Sequence, residues 1–154
     1  MSYFKKIILI FIKNPLNIFL YRRRFLRIET FGESMKPNFS PGEFYLVKRN
    51  FNPYLFERFD IVVMHCHIHN SIHLKRIVGI SKEKISYKKG ILYINGEKIL
   101  EKNVTHNKKI NISIILGENE YFVMSDNREN YNFNCDSFNT GPVKVDHVLG
   151  KVIT

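Results

Sequence analysis

Tyr93-Ile94-Asn95-Gly96-Glu97-Lys98-Ile99 sets the fold class of this chain. Asn-Gly is the pair that a type I′ turn favours at its two central positions, where φ must be positive. Here it sits between short runs of β-branched and aromatic residues, so the stretch reads as a hairpin. The same grammar repeats outward along the chain. Glu43–Lys48, Ile61–Met64, Leu74–Val78, Ile85–Tyr87, Ile91–Ile94, Ile112–Leu116, Tyr121–Met124 and His147–Ile153 are further strand candidates. Turn signals separate them at Pro41-Gly42, Asn52-Pro53, Lys89-Gly90, Gly117-Glu118-Asn119 and Gly141-Pro142. Helical periodicity is weak outside the N-terminus and Ser34–Phe39, so a mainly β sandwich or barrel is expected.

The 154 residues suffice for one domain with one modest core and an appendage. Net charge is +10, but it is unevenly placed. Residues 1–28 carry Lys5, Lys6, Lys13, Arg22, Arg23, Arg24 and Arg27 and no acid, and the rest of the chain is only mildly basic. This charge brackets the apolar runs Ile7–Ile12 and Pro15–Tyr21, a pattern suited to a membrane surface rather than to nucleic acid. Lys13, Asn14, Pro15 and Asn17 interrupt the run, which is shorter than the roughly 20 apolar residues of a spanning helix. Residues 1–28 are therefore expected to attach the chain to a membrane as a spanning anchor, an in-plane helix or a targeting segment, with residues 29–154 forming the folded domain.

Two segments carry chemistry. Gly32-Glu33-Ser34-Met35-Lys36-Pro37 presents a serine in a turn, and Leu74-Lys75-Arg76-Ile77-Val78-Gly79 presents a lysine among apolar neighbours. A serine hydroxyl becomes a nucleophile when a neighbouring base takes its proton, and a deprotonated lysine can be that base. Each segment also has an ordinary reading, as a surface turn and as a solvated lysine. To act near neutral pH the lysine pKa must fall from about 10.4 towards 7–8, which burial can achieve. On a strand, Lys75 shares a face with His73 and Ile77, and Leu74 shares the other with Arg76.

Together these segments resemble the nucleophile and general-base motifs of type I signal peptidases. Arg58-Phe59-Asp60-Ile61-Val62-Val63, Leu92–Glu97, Tyr121-Phe122-Val123-Met124-Ser125-Asp126-Asn127-Arg128 and Asp136-Ser137…Gly141-Pro142-Val143 resemble further blocks of that family, in its order. The resemblance runs from about Phe31 to the C-terminus, and Gly32 with the short chain is most similar to the mitochondrial inner membrane protease branch. It implies coiled antiparallel sheets, a Ser34 nucleophile, a Lys75 base and no cofactor. It also implies a substrate cleft lined by Gly32, Met35, Phe39, His73 and Leu74, where a precursor peptide lies as an added strand. The Ser34 N–H is the oxyanion donor it suggests. The implied setting is an organellar membrane, most readily the mitochondrial inner membrane, with plastid and bacterial inner membranes as alternatives. A paralogous protease subunit is a further implied partner.

Several positions depart from the family pattern. Phe59 and Ser125 stand at glycines, Lys82-Glu83 at Gly-Asp, Asn38 at threonine and Phe138 at arginine. About three extra residues precede Asp136, and Asn134 occupies the place where many bacterial members have a serine that holds the lysine amine. These changes put the lysine's support in question: Asn134 is one candidate, and Arg76 is expected to pair with Asp136.

Cys66 and Cys135 lie in different motifs and are expected to be unpaired thiols. His65, His67 and His69 would share a face if extended, with His73 nearby, but a polar hairpin tip is the preferred account of them and no metal site is assigned. Two rival functions are weighed. A non-catalytic subunit that binds precursors would be free to lose Ser34 or Lys75, and both are present. A self-cleaving repressor would need a DNA-binding domain that 28 basic-apolar residues do not supply.

Overall fold

The structure is a computed structural model that describes residues 23–49, 56–129 and 135–153. It is built from two antiparallel sheets. The larger has seven strands in the order β1-β2-β11-β3-β4-β9-β10 and the smaller has four in the order β7-β6-β5-β8. The strands are β1 Phe25–Glu29, β2 Phe44–Arg49, β3 Ile61–Cys66, β4 Ser71–Gly79, β5 Lys84–Lys88, β6 Ile91–Ile94, β7 Glu97–Ile99, β8 Asn111–Ile115, β9 Glu120–Met124, β10 Val143–Lys144 and β11 Val148–Ile153. A single helical turn, α1 at Ser137–Thr140, precedes β10.

The mainly β expectation holds. The hairpin β6–β7 turns at Asn95 and Gly96, with φ of 52° and 89°. β1 begins inside the segment assigned to membrane attachment, because Phe25–Glu29 pairs in full register with β2. Residues 1–22, which hold the apolar runs, lie outside the described residues. Among the described residues no helix is long and apolar enough to cross a membrane.

Period-2 alternation sorts the side chains of the large sheet into two cores. One face buries Met35, Phe39, Val47, Ile61, Val63 and Val152, with Leu74 packed against them. The opposite face buries Val62, Met64, Cys66, Ile77, Val123 and Cys135. The small sheet closes a third core of Ile85, Tyr87, Leu92, Ile94 and Ile110 against Val78, Phe122 and Met124 of the large one. β9 therefore contributes to two cores, and β4 to all three through Leu74, Ile77 and Val78. Gly79, at a register shift between β4 and β9, makes this junction possible: a Cβ there would lie 2.5 Å from Ile85 Cδ1.

The expectation of two unpaired thiols is overturned. Cys66, the last residue of β3, is disulfide-bonded to Cys135, with Cα atoms 6.3 Å apart. Both cysteines are buried in the same core, which brings them together from 69 residues apart in sequence. The premise of three extended histidines also fails. β3 ends at Cys66, so His67 and His69 lie in the turn to β4. His65 instead contacts Asn70 Oδ1, and His67 packs at a tilt against His147.

Candidate active site

Ser34 is half-buried in the loop between β1 and β2. Two buried neighbours fix that loop: Met35 and Phe39 insert into the core beneath Leu74 and Val63. A backbone bond from Phe39 N to Met35 O closes a turn there, within which the Lys36–Pro37 peptide is cis. Gly32 leads into the loop with φ 76°, a left-handed conformation that L side chains adopt at a cost of about 1–2 kcal/mol. The bare surface of a glycine also leaves room beside Ser34, with nothing within 4 Å of where a Cβ would lie.

Ser34 shares one cleft with Gly32, Met35, Phe39, His73 and Leu74, and Ile28, Phe31 and Ile72 complete its apolar wall. Strand pairing explains why the cleft is open. Among the described residues β1 is an edge strand, and β9 joins β4 only from Arg76 onward, so Ser71–Lys75 have a strand partner on one side. Two strand edges without a strand partner among the described residues therefore border the cleft.

Lys75 lies on the face of β4 opposite Leu74, fully buried in the way alternation requires. Its amine donates to Ser125 Oγ at 2.9 Å and lies 3.3 Å from Asp136 Oδ1. Ser125 in turn donates to Asp136 Oδ1 at 2.6 Å. All three residues are 0% exposed. Burial holds the Lys75 pKa below its ordinary value, and Asp136 opposes that shift only in part. His73, next on the same face, is also held low, by partial burial and then by Lys75, and its Nε2 lies 2.8 Å from Ser71 Oγ. The described residues show no hydrogen bond between Ser34 and Lys75; such bonds often form only once substrate is bound.

Arg76 does not pair with Asp136, contrary to expectation. It points to the other face and forms a fork with Asp126, Nε to Oδ1 and Nη2 to Oδ2, each at 2.7 Å. The reason is alternation itself: Lys75 takes the face on which Asp136 lies. Asp126 Oδ2 also accepts from Asn38 Nδ2 at 2.6 Å, and Asn127 N donates to Ser34 O at 2.8 Å. Three consecutive residues thus reach the lysine, the arginine beside it and the serine loop. The candidate support at Asn134 lies outside the described residues. In the sequence Ser125 stands at a family glycine, and its hydroxyl is the signal there that a different residue reaches the amine.

Asp136 is held rigidly. Cys135 before it is in the disulfide, and Ser137 after it accepts the Val123 N–H at 2.9 Å through its hydroxyl. The two sulfurs and a nitrogen of His73 all lie within 4.8 Å of one another, so the disulfide packs directly against this polar cluster.

A mainly β domain with a serine cleft and a buried lysine is a familiar class among peptidases. The family described as "Signal peptidase, peptidase S26" matches residues 3–154, and the chain belongs to it. It is 31% identical over 144 residues to signal peptidase I V of Bacillus subtilis, covering 83% of each chain. Against signal peptidase IB of Staphylococcus aureus it is 30% identical, over 79% of this chain and 72% of the relative. The solved structure of a signal peptidase I from Enterococcus faecalis superposes with a TM-score of 0.55 at 29% identity. That match covers 64% of this chain and 97% of the other.

Proposed function

We propose that this chain is a membrane-associated serine endopeptidase that removes signal peptides from translocated precursor proteins, with Ser34 as nucleophile and Lys75 as general base. The observation that carries the reading is Lys75: a fully buried amine, pushed towards its neutral form by desolvation, on the strand that borders the serine cleft. Neutral Lys75 takes the Ser34 hydroxyl proton as Oγ bonds to the scissile carbonyl carbon. The resulting ammonium returns that proton to the amine as the C–N bond breaks. A water deprotonated by Lys75 then attacks the ester, and the proton passes back to Ser34. The Ser34 N–H serves the oxyanion, and the precursor adds as a strand between the edges of β1 and β4.

Similarity to Bacillus and Staphylococcus enzymes supports a bacterial inner membrane as the setting, ahead of the mitochondrial and plastid membranes that the short chain and Gly32 suggested. A disulfide supports an oxidising compartment for the folded domain. A paralogous subunit belongs to the mitochondrial alternative alone.

Cleavage of a signal-bearing precursor peptide in lipid micelles tests the reading. Wild type should cut, Ser34→Ala and Lys75→Ala should each lose at least about a hundredfold, and chelators should have no effect. Wild-type protein that binds the peptide without cutting it would instead favour a non-catalytic subunit.

A further inference from the structure

We propose that Ser125 is the positioning residue for Lys75: its hydroxyl, committed as a donor to Asp136, accepts one lysine N–H and so sets which way the amine lone pair points. This rests on the reading of Lys75 as the base.

The argument is one of hydrogen-bond capacity. A hydroxyl has a single proton. Ser125 Oγ places it on Asp136 Oδ1 at 2.6 Å, so towards the lysine it can only accept. A neutral lysine amine has two N–H donors and one lone pair. Ser125 Oγ at 2.9 Å and Asp136 Oδ1 at 3.3 Å occupy the donor side, which leaves the lone pair for the Ser34 hydroxyl. When the amine gains a proton, the same two oxygens already face it and no group must reorient.

The surroundings make Ser125 the controlling contact. Asp136 is the acid facing Lys75 from the segment before α1, and His73 is its titratable neighbour on β4. Asp126, after β9, is engaged by the Arg76 fork and by Asn38. From β3, Lys75 meets Val62, which is apolar. Asp136 Oδ2 has no hydrogen-bond partner among the described residues, so the carboxylate acts through Oδ1, which Ser125 shares with the lysine. Without the hydroxyl, Oδ1 is left with Lys75 as its partner and the ion pair tightens. More of the amine is then protonated near neutral pH, and the lone pair is lost to Ser34.

The test compares Ser125→Ala and Ser125→Thr with wild type by kcat and KM across pH, with circular dichroism melting to confirm folding. Ser125→Ala should lose about tenfold to a hundredfold in kcat near neutral pH with KM little changed. Its acid limb should move to higher pH, so that part of the rate returns on alkaline titration. Ser125→Thr, which keeps the hydroxyl, should restore both rate and limb. NMR titration of the Lys75 amine should show the same upward shift in Ser125→Ala. This second measurement needs no turnover, so it separates this inference from the dyad reading, which Ser34→Ala tests on its own. An unmoved Lys75 titration, or a rate loss with the acid limb in place, would overturn the assignment. Should Ser125→Ala fail to fold, Ser125→Cys, a weaker donor and acceptor, is read by the same titration.

Discussion

Lys75 and Arg128 are both basic side chains with 0% exposure, and the domain treats them in opposite ways. Arg128 lies flat against a single carboxylate: Nη1 and Nη2 both bond Glu101, its Nε donates to Ser125 O, and its guanidinium stacks over Tyr87 at 5.1 Å. Those bonds outweigh burial and raise its pKa. Lys75 has a carboxylate too, but at 3.3 Å and shared with a hydroxyl, so burial prevails and its pKa falls. Complete pairing turns a buried charge into a staple between the two sheets. Incomplete pairing leaves the other group easier to deprotonate.

Lys75→Arg is the sharpest way to break that contrast. A guanidinium cannot deprotonate in this pH range, so peptide cleavage should fall by about a thousandfold or more. Because the Lys75 pKa is lowered, wild-type kcat/KM should rise as pH increases through it and level off below the ordinary lysine value. A pH–rate profile in micelles checks this. At the other basic residue, Glu101→Ala leaves Arg128 buried and unpaired and should cost about 3–5 kcal/mol in urea unfolding. Any activity that survives should keep the wild-type acid limb. Reduction of the disulfide acts on the lysine's side, since Cys135 adjoins Asp136. Loss of a bridge across 69 residues should lower stability by up to about 4 kcal/mol, read as a shift in melting temperature between oxidised and reduced protein. The smallest effect is expected far from either basic residue. Lys82 sits at φ 69°, and Lys82→Gly should be neutral or stabilising by up to about 1 kcal/mol in the same unfolding assay.

What the sequence revealed was local. Asn95-Gly96 specified its own turn, and alternation along β4 put Lys75 and Arg76 on opposite faces. Phe59 and Lys82, noted as replaced glycines, do hold left-handed angles of 71° and 69°. Choices between distant partners were not legible. Alternation separates Arg76 from Lys75, but which of the two faces meets Asp126 and which meets Asp136 depends on the packing of β9 against β4. The cysteine pairing depends on two segments meeting in one core. β1 was hidden because Phe25–Glu29 continues a basic, apolar run whose charge pattern spoke first. Ser125 was visible as a substitution, but its role depends on Asp136 arriving from 11 residues away.

The bridge between Cys66 and Cys135 closes a covalent ring that contains β4 to β9, and with them the whole small sheet. Ser34 and Asp136 lie outside the ring, and Lys75 and Ser125 lie within it. A protease that nicks the turn at Lys89-Gly90 would therefore release nothing. The two pieces would run as one species on a non-reducing gel, and each oxygen beside the lysine would remain tied to it by an unbroken covalent path.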